Sequence, residues 1–253
     1  MFMKPSAAFT ILVLLTAGLY ADPPPAPTFK NIRYSKKFKR SVLDFWKADS
    51  KKNTPLIVFF HGGGFKAGDK AAFRRRKILA RYLKKGISFA SANYPLLKSA
   101  NYLEIMNHTA ESIRFLKEKE KEWNIDPRKI AVMGSSAGAM ICEYLAYWED
   151  LGITACFALE QPHHSWFLLA RVSRPAPPLI LYTSFPKDNK VHNPKYARIF
   201  KDYFDNAGIP CLLYGSMASG LPRPPRGKTI EDIAMRVFRK QWKKPAPEKP
   251  DNP

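Results

Sequence analysis

The chain has 253 residues, 45% of them hydrophobic, a length and composition that fit one domain with a substantial core and leave little for a second. Lys and Arg number 42 against 21 Asp and Glu, which gives a formal net charge of +21. The basic residues are scattered rather than gathered into one tract, and no nucleic-acid-binding motif accompanies them, so nucleic acid is not an expected partner. Two interpretations of the charge stay open: a solvated basic surface, and attraction to an anionic polymer such as an acidic polysaccharide.

The first 21 residues have the pattern of an export signal. Lys4 supplies a positive start, residues 7–17 are apolar, and residues 19–21 (Leu-Tyr-Ala) offer a cleavage site before Asp22. The apolar run is shorter than the roughly 20 residues that a membrane-spanning helix needs. We therefore expect an exported protein, periplasmic or secreted, with no membrane span after the signal is removed.

Three further segments complete the expected organisation. Residues 22–28 are proline-rich and are predicted to be an extended linker, residues 29–244 form the folded domain, and residues 245–253 are a proline-rich, disordered tail. The three cysteines make no disulfide framework, and we expect them to be small buried side chains.

Within the domain, strand and helix patterns alternate. Strands are predicted at 29–34, 41–46, 56–60, 87–93, 130–133, 154–159, 179–182 and 211–214, and helices at 71–83, 102–122, 139–146, 194–207 and 229–242. Such alternation is typical of an α/β fold with a mostly parallel central sheet and helices on both faces. In the helix at 194–207, the apolar face is predicted to include Ile199, Tyr203 and Phe204.

The pentapeptide Gly-Ser-Ser-Ala-Gly at residues 134–138 lies between a predicted strand and a predicted helix. This pattern, Gly-x-Ser-x-Gly, is that of a nucleophile elbow, in which a strained turn pushes the Oγ of Ser136 out of the sheet. Gly134 and Gly138 leave room for the backbones of strand and helix to approach each other. A small-residue turn before a helix is also an ordinary loop, so the motif needs support from elsewhere in the chain.

That support is the sequence His-Gly-Gly-Gly-Phe at residues 61–65, directly after the strand at 56–60. Consecutive glycines can turn backbone N–H groups toward one point, where a carbonyl oxygen gains negative charge during acyl transfer. We expect the N–H groups of Gly63, Gly64 and Ala137 to form this oxyanion hole, with His61 and Gly62 as structural parts of the loop.

With both motifs, the chain resembles the carboxylesterase and hormone-sensitive-lipase-like branch of the α/β-hydrolase fold. It is similar to small bacterial proteins grouped with feruloyl and acetyl-xylan esterases. The resemblance rests on residues 43–46, 55–65, 68–70, 93–95 and 126–138. It implies a serine esterase that needs no cofactor or metal. Because only about seventeen residues separate the strands ending near Glu160 and starting near Pro178, we expect little or no cap and an open pocket.

The resemblance also implies an order of Ser, then an acid, then a histidine along the chain. Asp188 stands where the family carries its acid, and the spacing from Asp188 to Val191 and His192 matches the family's usual form. The family histidine belongs in the loop at 216–228, which contains none. A base for Ser136 would therefore have to come from elsewhere, with His192, His163 and His164 as the candidates.

Three hypotheses follow. The first is an exported hydrolase that cleaves short acyl esters, small or carried on a polysaccharide, through an acyl-enzyme on Ser136. The second is a hydrolase-fold protein that has lost turnover with its histidine and binds a glycan or acyl ligand. The third is a basic envelope protein that acts through its charge.

Overall fold

A computed structural model describes residues 24–73 and 78–241 of the chain. The export signal and the proline-rich tail predicted above lie outside the described residues. The strands are β1 (Phe29–Arg33), β2 (Val42–Trp46), β3 (Thr54–Phe60), β4 (Ser88–Ala92), β5 (Ile125–Ser135), β6 (Ile153–Leu159), β7 (Leu179–Thr183) and β8 (Cys211–Gly215). The α-helices are α1 (Ile78–Lys84), α2 (Tyr102–Glu118), α3 (Glu120–Trp123), α4 (Ala137–Tyr147), α5 (Pro194–Asn206) and α6 (Ile230–Gln241), and short 3-10 helices span Lys70–Phe73 and Trp166–Arg171.

All eight strands join one sheet in the order β1-β2-β4-β3-β5-β6-β7-β8. The pairs β1 with β2 and β2 with β4 are antiparallel, and every other pair is parallel. The prediction of a mostly parallel α/β sheet is confirmed. Since parallel strands end at the same edge, the loops that follow β3, β5, β6 and β7 all emerge on one side of the molecule.

Two apolar cores lie on opposite faces of this sheet. Along β3, Leu56, Val58 and Phe60 face the core beneath α2, α4 and α5, whereas Ile57 and Phe59 face the core beneath α1 and α6. Side chains alternate along a strand, so a strand covered on both faces is apolar throughout, as β3 is. Helices therefore cover both faces, as predicted.

Three helices differ in detail from the prediction. Where one helix was predicted at 71–83, the described residues form a 3-10 helix at Lys70–Phe73 and the α-helix α1 at Ile78–Lys84. Asn101 and Glu104 form a capping box that starts α2, but the helix ends at Glu118 rather than near residue 122. In α5 the buried face includes Ala197, Phe200 and Phe204, while Ile199 and Tyr203 are exposed. The predicted face of α5 was thus wrong in two of its three residues.

The link between β6 and β7 contains only the 3-10 helix Trp166–Arg171, so no cap domain is inserted in the described part of the chain. Two of the predicted linker residues contact the domain: Pro25 O accepts a hydrogen bond from Trp46 Nε1 (2.8 Å), and Thr28 Oγ1 accepts one from the N–H of Lys47 (2.9 Å). Across residues 24–73 and 78–241, no helix has both the length and the apolarity that crossing a bilayer requires.

Backbones meet closely where β5 turns into α4. A side-chain carbon added at Gly138 would overlap the carbonyl oxygen of Phe60 at the end of β3, and one added at Gly134 would overlap the carbonyl of Gly138. At Gly62 an added carbon would lie 2.8 Å from the carbonyl oxygen of Ser135. At these three positions there is no room for a side chain, which explains why glycine occupies them.

We expect Gly138→Ala to lower the free energy of unfolding by about 3 kcal/mol, because the methyl group can be accommodated only if β3 and α4 move apart. Urea denaturation followed by circular dichroism measures this loss. Gly86→Ala is the control: Gly86 has φ +71° but open space around it, so only the backbone cost of about 1 kcal/mol applies. Equal losses in the two variants would contradict the packing explanation.

Candidate active site

Ser136 occupies the turn between β5 and α4 with φ 56° and ψ −118°. A positive φ is uncommon for a residue other than glycine, and here it places the side chain at the carboxyl edge of the sheet. The turn is anchored from the neighbouring strand, since the Ser136 N–H donates to the carbonyl oxygen of Leu159 at the end of β6 (2.9 Å). Ser136 lines a cavity at this edge.

His192 is the histidine that reaches this serine. Its Nε2 lies 2.9 Å from Ser136 Oγ, within hydrogen-bond distance. With Nε2 accepting the hydroxyl proton, the imidazole is a neutral tautomer protonated at Nδ1, an assignment made from the hydrogen bond. The structure thus brings together two of the residues selected from the sequence, across 56 positions of the chain.

The loop between β7 and α5 is folded so that it presents this imidazole. Asn189 Oδ1 accepts hydrogen bonds from the N–H groups of Val191 (3.0 Å) and His192 (2.7 Å), which closes a tight turn. The ring of Phe185 stacks on that of His192 with centroids 4.6 Å apart. Asn193 then caps α5 through the N–H of Lys195. The backbone on either side of His192 is therefore fixed by the turn at Asn189 and by the start of α5, and its ring is held by Phe185.

Burial shapes the charge of His192. Desolvation lowers its pKa below the usual 6.5, the nearby Glu160 carboxylate raises it, and His163 lowers it again. The dominant effect is desolvation, which favours the neutral imidazole that a general base requires.

Asp188 makes no hydrogen bond to the imidazole of His192. Its side chain is exposed, and it makes no hydrogen bond or ion pair with any residue in 24–73 or 78–241. The physical reason lies in the turn: Asn189, one residue further on, supplies the oxygen that closes the loop, and Asp188 is left facing solvent. The sequence analysis assigned Asp188 as the acid from its position along the chain, and no contact among the described residues supports that assignment.

His163 and His164 lie beside the site. Both line the cavity next to Ser136, with their ring centroids 4.4 Å apart, but neither hydrogen-bonds to Ser136 Oγ in the described structure. The His163 N–H donates to the carbonyl oxygen of Val191 (2.8 Å), which ties the link after β6 to the loop of His192. They are neighbours of the Ser136–His192 pair.

The glycine loop after β3 lies on the other side of Ser136. Gly63 and Gly64 have φ +117° and +60°, and the N–H groups of Lys66 and Ala67 both donate to Gly63 O, which closes the loop. The N–H groups of Gly63, Gly64 and Ala137 donate no hydrogen bond to any described residue. Ala137 is also the first residue of α4, where the positive end of the helix dipole favours negative charge.

His61 anchors this loop and takes no part in the cavity. Only 2% exposed, it stacks on Tyr94 with centroids 4.4 Å apart, and its Nδ1 hydrogen-bonds to Gly62 O (2.7 Å). Arg40 donates to its Nε2 (3.3 Å), and burial lowers its pKa, so the ring is neutral. The structural part expected for His61 fits these contacts.

A buried ion pair is connected to the glycine loop through hydrogen bonds. Lys70 Nζ donates to Asp44 Oδ1 (2.8 Å) and to Asn31 Oδ1 (2.7 Å), with the two charged side chains 4% and 0% exposed. Asn93 links this pair to the loop, because it accepts from the N–H of Lys70 and donates to Asp69 Oδ2. Buried charges need such complete pairing, and losing one partner costs about 3–5 kcal/mol.

The cavity beside Ser136 has a volume of about 690 Å³ and mostly apolar walls. Its apolar lining comes from the glycine loop after β3, from α2, from α4 and the residue that follows it, and from the loops after β6 and β7: Phe65, Tyr102, Leu103, Met106, Met140, Tyr144, Trp148, Phe167 and Val191. Phe167 lines the cavity, whereas its neighbour Trp166, 63% exposed, does not. The space suits a ligand with an apolar part near the serine.

Sequence reasoning missed Glu160. Glu160 has a φ of 54° and directly follows β6, which places it at the same edge of the sheet as Ser136. Its carboxylate accepts hydrogen bonds from Thr183 and Ser184. The available signal was weak: a charged residue directly after an apolar strand that neighbours the nucleophile strand.

Comparisons with known proteins agree with this architecture. A family model described as BD-FAE matches residues 43–161. Acetyl esterase of Salmonella schwarzengrund (strain CVM19633) is 25% identical over 179 residues, which are 58% of this chain and 55% of that protein. The chain thus spans about half the length of the curated relatives it matches.

Solved structures extend the likeness to most of the chain. A truncated carbohydrate esterase from gut microbiota superimposes with a TM-score of 0.69 at 15% identity, covering 88% of this chain and 99% of the other. A thermophilic esterase from the planctomycete Thermogutta terrifontis gives 0.63 at 20% identity, covering 87% and 92%. Identities this low show the fold alone, which is the α/β-hydrolase fold.

We expect His192 to titrate with a pKa below 6.5 in the folded protein and nearer 6.5 in the same chain unfolded in urea, because burial disfavours the imidazolium. NMR titration of the imidazole signals, assigned with His192→Gln, measures both values. A folded-state pKa at or above the unfolded one would contradict this account of the site.

Proposed function

We propose that this protein, a carboxylesterase-like member of the α/β-hydrolase fold, hydrolyses carboxylic esters with Ser136 as its nucleophile. The observation that carries the proposal is the 2.9 Å contact between Ser136 Oγ and His192 Nε2. It is made at a strained turn, near three N–H groups that donate to no residue that the structure describes. Nucleophile, base and oxyanion donors are the parts that acyl transfer needs.

The chemistry follows from these positions. His192 Nε2 takes the proton of Ser136 Oγ as the oxygen attacks the ester carbonyl, and the N–H groups of Gly63, Gly64 and Ala137 stabilise the resulting oxyanion. His192 then gives the proton to the departing alcohol, which leaves an acyl group on Ser136. A water molecule, deprotonated by His192, attacks this acyl-enzyme and releases the carboxylic acid.

The histidine in this scheme comes from the loop after β7. The loop after β8, where the resemblance places it, uses its side chains for support: Ser216 Oγ donates to Ser184 O, and Ser219 Oγ donates to Ser216 O. A binding protein without turnover was considered because that loop lacks a histidine. The contact between His192 and Ser136 supports the hydrolase over that alternative.

For the substrate, we propose short acyl esters, free or carried on a carbohydrate. The support comes from the acetyl esterase names of the curated relatives and the carbohydrate esterase among the similar structures. Since no cap is inserted between β6 and β7 in the described chain, a bulky carrier can approach the serine. The acyl group or an apolar part of the alcohol would occupy the apolar cavity.

Ser136→Ala should reduce the hydrolysis of p-nitrophenyl acetate by about 10³-fold or more, and His192→Gln by a similar factor, because each removes one half of the nucleophile–base pair. Initial rates over a range of substrate concentrations give kcat and KM for each variant. Ser173→Ala, a change at an exposed serine, is the matched control and should retain the full rate. Full activity in Ser136→Ala would refute the proposal.

Export remains a proposal that the first residues of the sequence support. Expression of the full chain in a bacterial host should release a protein that begins near Asp22, as judged by intact-mass measurement of the periplasmic and medium fractions. Recovery of the uncleaved chain from the cytoplasm alone would count against it.

A further inference from the structure

Glu160 lies between the nucleophile turn and the strand that leads to His192. In the sheet, Ser135 pairs with Leu159, so Ser136 and Glu160 are the next residues along two adjacent parallel strands. On the other side, the Glu160 N–H donates to Tyr182 O in β7 (2.7 Å). Adjacent strands are about 4.8 Å apart, which makes Glu160 a direct neighbour of both elements.

The side chain of Glu160 is fixed by three donors at the end of β7. Its carboxylate accepts from Thr183 Oγ1 (2.9 Å), from the N–H of Ser184 (3.0 Å) and from Ser184 Oγ (2.7 Å). The backbone holds a positive φ of 54°, a conformation that is unfavourable for a residue with a side chain. A carboxylate this firmly placed at the edge of the sheet presents a negative charge in one position.

Two titratable groups from elsewhere in the fold act on His192: Glu160, from the end of β6, and His163, from the link after it. Of these two groups, only Glu160 can carry a negative charge. Within the described residues, Nδ1 of His192 has no hydrogen-bond partner, so Glu160 acts on the ring through its charge rather than through a direct bond. Asp188 is exposed and has no partner among the described residues, so water screens its charge and it exerts far less influence.

We propose that Glu160, and not Asp188, is the carboxylate that positions His192 and stabilises its imidazolium. This inference rests on the proposed function, since the imidazolium forms when His192 takes the proton of Ser136. The nucleophile, the acid and the base would then follow β5, β6 and β7 in turn. Glu160 is a positioning residue, because it acts on the reaction through His192.

The test is the NMR titration of His192 in the purified protein and three variants, without substrate. Glu160→Gln removes the charge at nearly constant shape and should lower the pKa of His192 by about 0.5–1 unit. Asp188→Asn, the matched control on the β7 loop, should leave it unchanged. Ser184→Ala deletes one bond to Glu160 while keeping its charge, and should shift the pKa far less than Glu160→Gln.

Kinetics give the second readout. Glu160→Gln should lower kcat for p-nitrophenyl acetate by about tenfold to a hundredfold with little change in KM, less than the ~10⁴-fold cost of losing a directly bonded triad acid. Glu160→Asp should recover part of the loss. Asp188→Asn should retain kcat.

An unchanged His192 pKa in Glu160→Gln, or a larger fall in Asp188→Asn, would overturn the inference. A fall of equal size in Ser184→Ala would also overturn it, by showing that loop displacement rather than charge moves the pKa. Because the titration needs no turnover, it separates this inference from the proposed function, which fails only if Ser136→Ala keeps the esterase rate.

Discussion

The contact of three backbones at the nucleophile turn is the constraint on which the site depends. The end of β3, the turn after β5 and the first turn of α4 approach so closely that Gly62, Gly134 and Gly138 cannot carry side chains. The turn must therefore be tight, and Ser136 takes a φ of 56° at a cost of about 1–2 kcal/mol. Burial of β3 and of residues 130–134 in β5 offsets this strain, and the half-buried Ser136 lines the cavity at the edge of the sheet.

Topology then decides which residues can reach that hydroxyl. Strands β5, β6 and β7 are neighbours, so the residues that follow them lie within about 10 Å of one another. A histidine on the β7 loop is one strand nearer to Ser136 than a histidine after β8 would be. The loop at 216–228 carries no proposed catalytic side chain. Its Ser216 Oγ donates a hydrogen bond to the carbonyl oxygen of Ser184. In the proposed arrangement, catalytic groups are drawn from three consecutive strands.

The sequence predicted most of this fold because its signals are local. Strand runs, helix caps and the two glycine motifs depend on residues close together in the chain, and the mostly parallel sheet followed from the alternation of strands and helices. The wrong face of α5 has the opposite cause: apolar residues lie on more than one side of that helix, and only packing decides that Phe200 is buried and Ile199 is not. His192 stayed one of three candidates because its position depends on the turn closed by Asn189 and on stacking with Phe185. Glu160 escaped notice because its orientation is set by Thr183 and Ser184, more than twenty residues away.

The surroundings of His192 balance two opposed requirements of a general base. Before reaction the imidazole must be neutral, and its partial burial against Phe185 achieves this by disfavouring the charged form. During acyl transfer the same ring must carry a proton, and burial then raises the energy of the imidazolium. In the proposed arrangement, the fixed carboxylate of Glu160 resolves the conflict, since its charge favours the imidazolium without reversing the effect of desolvation. A directly bonded, fully buried acid would hold the pKa higher and leave less of the free base near neutral pH. The geometry around Glu160 thus fits a base poised to be neutral at rest and stabilised when protonated.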